Sequence, residues 1–209
     1  GSKRFLFGWN PTKRDNRDEG LWEWGGNLVV HELKQRPDGS LAQVMPEGYR
    51  DQFTQLLYVH DAFIGKQGKA TFSPIHIPYP ETYLLQTSIV FDRDVSHAGI
   101  ALRFDAETDD SYWYIIEPRS NRLVFDRFPN DAWHFMNFHG LEKYTPLIPG
   151  STVQIEIIVD GDIAVCYLNQ KAVLSTRMHL NPGKPLALVS INGRTRFEEL
   201  KIFTLGGRS

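Results

Sequence analysis

From Tyr83 to Phe203 the chain repeats one rhythm, a short run of apolar and β-branched side chains followed by a turn. Val153, Ile155, Ile157 and Val159 alternate with Gln154, Glu156 and Ile158, the period of a half-buried strand. Asp160-Gly161-Asp162 closes that run, because Asp-Gly suits the positive φ of a tight hairpin. The same reading predicts strands over 83–91, 98–104, 112–117, 122–127, 163–168, 172–178, 185–191 and 195–203. Near the start it predicts strands over 4–9 and 27–33, the second preceded by Leu21-Trp22-Glu23-Trp24-Gly25-Gly26. Pro37-Asp38-Gly39-Ser40 is a turn, with a short strand over 41–45 after it. The stretch 52–59 fits helix or strand, and we assign it as irregular or strand. Pro74, Pro78 and Pro80 place their segment on a sheet edge or in a loop, because proline cannot donate to a central ladder. Residues 128–150, crowded with proline and aromatic rings, are assigned as loop.

Helical periodicity is nearly absent, so the expected fold class is all-β. Strands at this spacing, each bounded by turn residues, imply a two-sheet antiparallel β-sandwich.

Composition narrows this reading only a little. At 209 residues the chain can bury one sizeable core, and its 41% hydrophobic content is that of a globular protein rather than a disordered one. A net charge of −2 with no basic stripe excludes nucleic acid as an expected partner. No apolar run approaches the roughly 20 residues that a membrane helix needs. Cys166 is the single cysteine, so no internal disulfide can form. Gly1-Ser2 has the look of an expression scar, and the native N-terminus is expected to lie elsewhere.

Candidate chemistry is sparse. Asp105, Glu107, Asp109 and Asp110 form an acidic run, but the spacing lacks the glycine and terminal Glu of a calcium loop, which favours a solvated turn. His134 and His139 would need a third ligand to hold a metal, so neither a metal nor a cofactor is expected. Ser175 and Ser190 lack a Gly-x-Ser-x-Gly elbow. The aromatic residues are more suggestive. Trp113 and Tyr114 must face opposite sides of their strand, one toward a core and one toward an open sheet face. Trp133, Phe135, Met136 and Phe138 crowd one loop, which must bury its rings or expose an apolar patch. Trp113, Tyr114, Trp133 and Phe135 are therefore the candidate carbohydrate-binding residues, because flat rings stack on sugar faces.

Two stretches carry a family resemblance. Trp22-Glu23-Trp24-Gly25-Gly26-Asn27-Leu28-Val29-Val30-His31-Glu32-Leu33, preceded by Leu6-Phe7-Gly8-Trp9, resembles the end of the catalytic propeller in glycoside hydrolase family 32, the invertase, levanase and inulinase group. Glu117 to Arg127, Val159 to Asn169 and Leu174 to Met178 are similar to the β-sandwich that follows that propeller. The resemblance implies a concanavalin- or lectin-like jelly roll over residues 37–209. Residues 1–36 would be the remnant of the last propeller blade, a β-hairpin with Trp22, Trp24, Asn27 and His31 at the junction. The family's catalytic Asp in a Trp-Met-Asn-Asp-Pro-type motif, its Arg-Asp-Pro and its Glu-Cys have no counterpart here. Arg17-Asp18 runs into Glu19, Arg93-Asp94 into Val95, and Val165 precedes Cys166. A retaining glycosidase needs two carboxyl groups roughly 5–5.5 Å apart, and the resemblance places them on propeller blades before residue 1.

The expectation is thus a non-catalytic ancillary domain of a fructan- or sucrose-hydrolysing enzyme. Its partner would be the catalytic propeller of the same parent chain, which it would stabilise or shape. The family implies a secreted, periplasmic or cell-surface location in a bacterium. The alternative is a carbohydrate-binding module for fructan or another polysaccharide, with an oligosaccharide as partner. A third reading is a homodimer through unpaired edges of the strands over 4–9 and 27–33.

Overall fold

The structure, a computed structural model, describes residues 3–128 and 140–206. The alternating C-terminal half folds into two six-stranded antiparallel sheets packed face to face. One sheet contains β5 (Ala70–Ile75), β7 (His97–Leu102), β8 (Ser111–Glu117), β9 (Arg122–Phe128), β10 (Leu141–Tyr144) and β14 (Leu186–Ile191), in the order β10-β9-β8-β7-β14-β5. The other contains β4 (Gln55–Ile64), β6 (Thr82–Phe91), β11 (Thr152–Asp160), β12 (Ile163–Leu168), β13 (Ala172–Arg177) and β15 (Thr195–Thr204), in the order β13-β12-β11-β6-β15-β4. The expected all-β sandwich is what forms. Among the described residues no helix is long and apolar enough to cross a membrane.

Alternation decides what lies between the sheets. Val153, Ile155, Ile157 and Val159 of β11 point inward beside Leu85 and Ile89 of β6. They meet Ile100, Tyr112, Tyr114, Ile116 and Phe125 from the facing sheet. A bulge in β15 lets Phe197 and Leu200 both reach this core although they lie an odd three positions apart, and Glu199 at the bulge takes a positive φ of 49°. Pro74 lies in β5, an edge strand, as its missing N–H requires. The ambiguous stretch 52–59 becomes the end of a 3-10 turn (Arg50–Gln52) and then the edge strand β4. Part of the expected loop over 128–150 is instead β10, paired to β9 from Leu141↔Phe125 to Tyr144↔Arg122.

A third, smaller sheet is built from β1 (Arg4–Lys13), β2 (Trp22–Gln35) and β3 (Leu41–Val44). β1 and β2 form a hairpin from Arg4↔Leu33 to Lys13↔Trp22, with an irregularity after Pro11. β3, assigned to the sandwich by the sequence reading, pairs with β2 instead, so this sheet runs past residue 36 to Val44.

Candidate functional site

The small sheet sits on the sandwich through Asn10 of β1 and through Asn27, Val29 and His31 of β2. Asn10 is the centre of this contact. Its Nδ2 donates to the Thr176 carbonyl at 3.3 Å, and its Oδ1 accepts from Ser175 Oγ at 3.0 Å. Arg177 completes a clasp. Its Nε donates to the Pro11 carbonyl at 3.2 Å and its Nη2 to the Asn10 carbonyl at 3.3 Å. The same guanidinium also reaches Asn27 Oδ1 on β2 and the Asp162 carboxylate on the sandwich. Further along, His31 Nδ1 lies 3.0 Å from Tyr167 Oη, and Val29 packs with Ile163, Val165 and Val173. Burial lowers the His31 imidazole below its ordinary value, which favours the neutral ring.

The loop between β1 and β2 inserts Asp18 as a second anchor. Its side chain is 1% exposed. The Tyr112 hydroxyl donates to Asp18 Oδ2 at 2.5 Å while accepting the backbone N–H groups of His179 at 2.9 Å and Leu180 at 2.8 Å. Arg127, also buried, lies 3.4 Å from Asp18 Oδ2, 2.8 Å from Glu19 Oε1 and 3.5 Å from Asp110 Oδ1. Asp18 Oδ1 has no hydrogen-bond partner among the described residues. Burial therefore outweighs these partners and pushes the carboxyl above the ordinary carboxylate range. Lys13 donates to the Asp18 carbonyl and holds its ammonium 4.3 Å from the centre of the Trp22 ring.

The opposite face of the small sheet is apolar and open. Phe5, Phe7 and Trp9 of β1 share it with Leu28, which is paired with Trp9, and all four are exposed. Trp24 stacks on Trp9 with ring centres 5.8 Å apart and is 97% exposed. A row of rings this size on one sheet face marks an interaction surface.

The sequence-predicted residues divide between these places. Of the junction set, Asn27 and His31 join the clasp and Trp22, although 60% exposed, lies beside Lys13 in a cleft shared with Thr176 and Arg177, whereas Trp24 stands on the open side. Of the candidate sugar-binding rings, the two that the structure describes are covered. Tyr114 is wholly buried, with its hydroxyl donating to the Ala164 carbonyl at 2.9 Å, so it offers no ring face. Trp113 does point to the outer face of its sheet, but Phe72, Phe104 and Phe128 cover it and leave 8% exposed. Trp133 and Phe135, with Met136, Phe138, His134 and His139, lie outside the described residues. The acidic run is an ion-paired turn, with Asp105 3.0 Å from Lys184 and Asp110 near Arg127. Ser190 Oγ is occupied by the Gly193 carbonyl at 2.9 Å and Thr195 Oγ1 at 2.7 Å. Cys166 is buried, and that burial raises its thiol well above its ordinary value. Among the described residues no group of three or more His, Cys, Asp or Glu side chains is gathered to hold a metal ion.

Sequence reasoning missed three features. Asp18 and Arg177 carry no local signal for their role, and only the folded chain shows them as anchors. The third is an open cavity of about 610 Å³ beside the Asp160-Gly161-Asp162 hairpin, lined in part by Tyr79, Glu81, Tyr83 and Arg103. The Asp-Gly turn was the one local signal pointing there.

Comparison with known proteins ties this architecture to characterised folds. Residues 61–204 match the family model described as Glycosyl hydrolases family 32 C terminal. An exo-inulinase from Aspergillus awamori superposes with a TM-score of 0.65 at 17% identity, over 88% of this chain and 36% of that one. Fructan 1-exohydrolase IIa from Cichorium intybus gives 0.65 at 11% identity, over 97% of this chain and 45% of that one. The carbohydrate binding module CBM66 from Bacillus subtilis gives 0.55 at 13% identity, over 73% of this chain and 97% of that one. These identities establish likeness of fold, and the chain spans less than half the length of the two enzymes. No curated protein sequence matches the chain significantly.

Proposed function

Because the chain belongs to the glycosyl hydrolases family 32 C-terminal family, we propose that it is the non-catalytic ancillary β-sandwich of a fructan- or sucrose-hydrolysing enzyme, docked against a catalytic propeller of the same parent chain. The observation that carries this reading is the two-faced small sheet. Its inner face is satisfied by Asn10, His31 and Val29 against the sandwich. Its outer face leaves Phe5, Phe7, Trp9, Trp24 and Leu28 in water. Burying such rings contributes about 25 cal/mol per Å² of apolar surface, so a second layer covering them is strongly favoured. The best-buried carboxylate, Asp18, is committed to Tyr112 and Arg127 and serves as an anchor rather than as half of an acid–nucleophile pair.

Incubating the 209-residue chain with sucrose, inulin and levan should release no fructose. Turnover that persists through repurification would refute the reading. In the full-length parent, Phe7→Asp and Trp24→Asp should lower the melting temperature of the whole enzyme while leaving the sandwich folded. The carbohydrate-binding alternative through Trp113, Tyr114, Trp133 and Phe135 draws no support from the rings described. A secreted, periplasmic or cell-surface location in a bacterium belongs to the same proposal and rests on the family alone.

A further inference from the structure

The cavity beside the Asp160-Gly161-Asp162 hairpin has the makings of a binding site that the docking reading does not use. None of Phe5, Phe7, Trp24 or Leu28 lines it. Its volume, about 610 Å³, falls within the usual range for small-molecule sites.

Its wall is held by Arg103. This residue takes a φ of 53°, a conformation that costs a non-glycine residue of order 1–3 kcal/mol and persists only where the surroundings enforce it. Here the guanidinium enforces it. Nη1 donates to the carbonyls of Met178 at 2.7 Å and Leu180 at 3.0 Å, and Nη2 to that of Gly161 at 2.9 Å. Three backbone segments that border the cavity are thereby locked together before any ligand arrives.

Most charges around the cavity are already neutralised. Lys184 pairs with Asp105 at 3.0 Å, Asp162 pairs with Arg177, and Arg103 is spent on carbonyls. Among the polar groups left over are Tyr83 and Glu81. Tyr83 is only 7% exposed, packs against Tyr79 with ring centres 5.6 Å apart, and has no hydrogen-bond partner for its hydroxyl among the described residues. With its ring enclosed and its hydroxyl unpartnered, this phenol is left able to donate and accept toward the cavity that it lines. Glu81 likewise forms no ion pair or side-chain hydrogen bond with a described residue. Its Oε1 stands 3.6 Å from where a Cβ on Gly161 would be. Gly161 has a φ of 56°, so a bulkier residue there would be strained and would crowd the carboxylate.

A free carboxylate, a free phenol and a half-buried aromatic ring in an otherwise charge-balanced pocket are suited to a neutral polyhydroxylated molecule. The carboxylate accepts from hydroxyls, the phenol donates and accepts, and the Tyr79 ring supplies an apolar contact. We infer that this end cavity binds a saccharide unit, with the Tyr83 hydroxyl and the Glu81 carboxylate taking the sugar hydroxyls.

The test is calorimetry and amide NMR on the 209-residue chain, titrated with fructose, sucrose, 1-kestose and maltose. The expected result is saturable binding of at least one sugar, with shifts centred on Gly161 and Gly183, both of which line the cavity. Tyr83→Phe removes a single oxygen and Glu81→Gln removes only the charge. Each should weaken binding about tenfold or more while the melting temperature stays near that of the wild type. Because Glu81 is exposed, Glu81→Gln remains informative if Tyr83→Phe is unstable. Three results would overturn the inference: no heat or shift at tens of millimolar of any of the four sugars, wild-type affinity in both variants, or shifts that map elsewhere. Docking to a propeller is read out by melting of the parent enzyme, so either idea can fail while the other stands.

Discussion

The sandwich and the small N-terminal sheet are made of the same material and solve different problems. Each six-stranded sheet has its inner face closed by the other, around Leu85, Ile155, Tyr114 and Phe197. The small sheet is apolar on its outer face and meets the sandwich only with its inner one. Its attachment relies on polar anchors, with Asn10, Asp18, His31 and Arg177 doing at the junction what interdigitated aliphatic chains do in the core. The sandwich therefore closes its core on itself, whereas the small sheet leaves one apolar face in water.

Mutations can sharpen or break this contrast. The largest effect is expected in the sandwich, where Phe197→Ala should cost about 3–5 kcal/mol in urea unfolding, because the ring is wholly buried and its cavity cannot collapse fully. Asp18→Ala should cost about 1–3 kcal/mol, by stripping Tyr112 of its acceptor and Arg127 of one partner. It should also speed hydrogen exchange in β1 and β2 more than in β8 or β11. Tyr167→Phe, which leaves His31 Nδ1 without its bond, should cost about 1 kcal/mol. Trp24→Ala should change the stability of the isolated chain by less than about 0.5 kcal/mol, since the ring stands almost entirely in water. A loss of several kcal/mol in that last variant would mean that the open face is already covered.

Acidity separates the two regions by sign. The Asp18 carboxyl is raised by burial, so the folded chain holds that proton more tightly than the unfolded chain. Its contribution is complete below the unfolded value and disappears as pH rises through the folded value. In the sandwich, partial burial works against Glu117, but hydrogen bonds from Ser120 and Arg122 hold its carboxyl below the ordinary range. That contribution is present above the unfolded value and disappears as pH falls through the folded one. Between about pH 3 and 7, the wild type should lose stability relative to Asp18→Asn as pH rises, and gain stability relative to Glu117→Gln. Chemical denaturation at stepped pH measures both slopes.

Much of the sandwich could be read from the sequence because its strands carry local signals. The alternation over 153–159 names the buried side chains of β11 outright, and Asp160-Gly161 names the turn. β10 escaped because all four of its residues are exposed and nothing in Leu-Glu-Lys-Tyr alternates; it is a strand only because β9 offers an edge. β4 was ambiguous for a related reason, since its register against β15 shifts twice and blurs the period of two. At the sites the limits are plainer still. Alternation correctly set Trp113 and Tyr114 on opposite faces, but it could not foresee Phe72, Phe104 and Phe128 arriving from elsewhere to close over the indole. Tyr83, Arg103 and Asp162 are far apart in the chain, and no spacing rule links residues that meet only after two sheets have stacked.

The Trp9–Trp24 stack gives the protein its own optical gauge. An indole bathed in water emits at longer wavelength than one in apolar surroundings, so Trp24 supplies a red component and the enclosed Trp113 a blue one. Whatever settles on the small sheet must quench or blue-shift the first and leave the second untouched. Occupancy of that surface can thus be followed by emission spectrum alone, without label or tag.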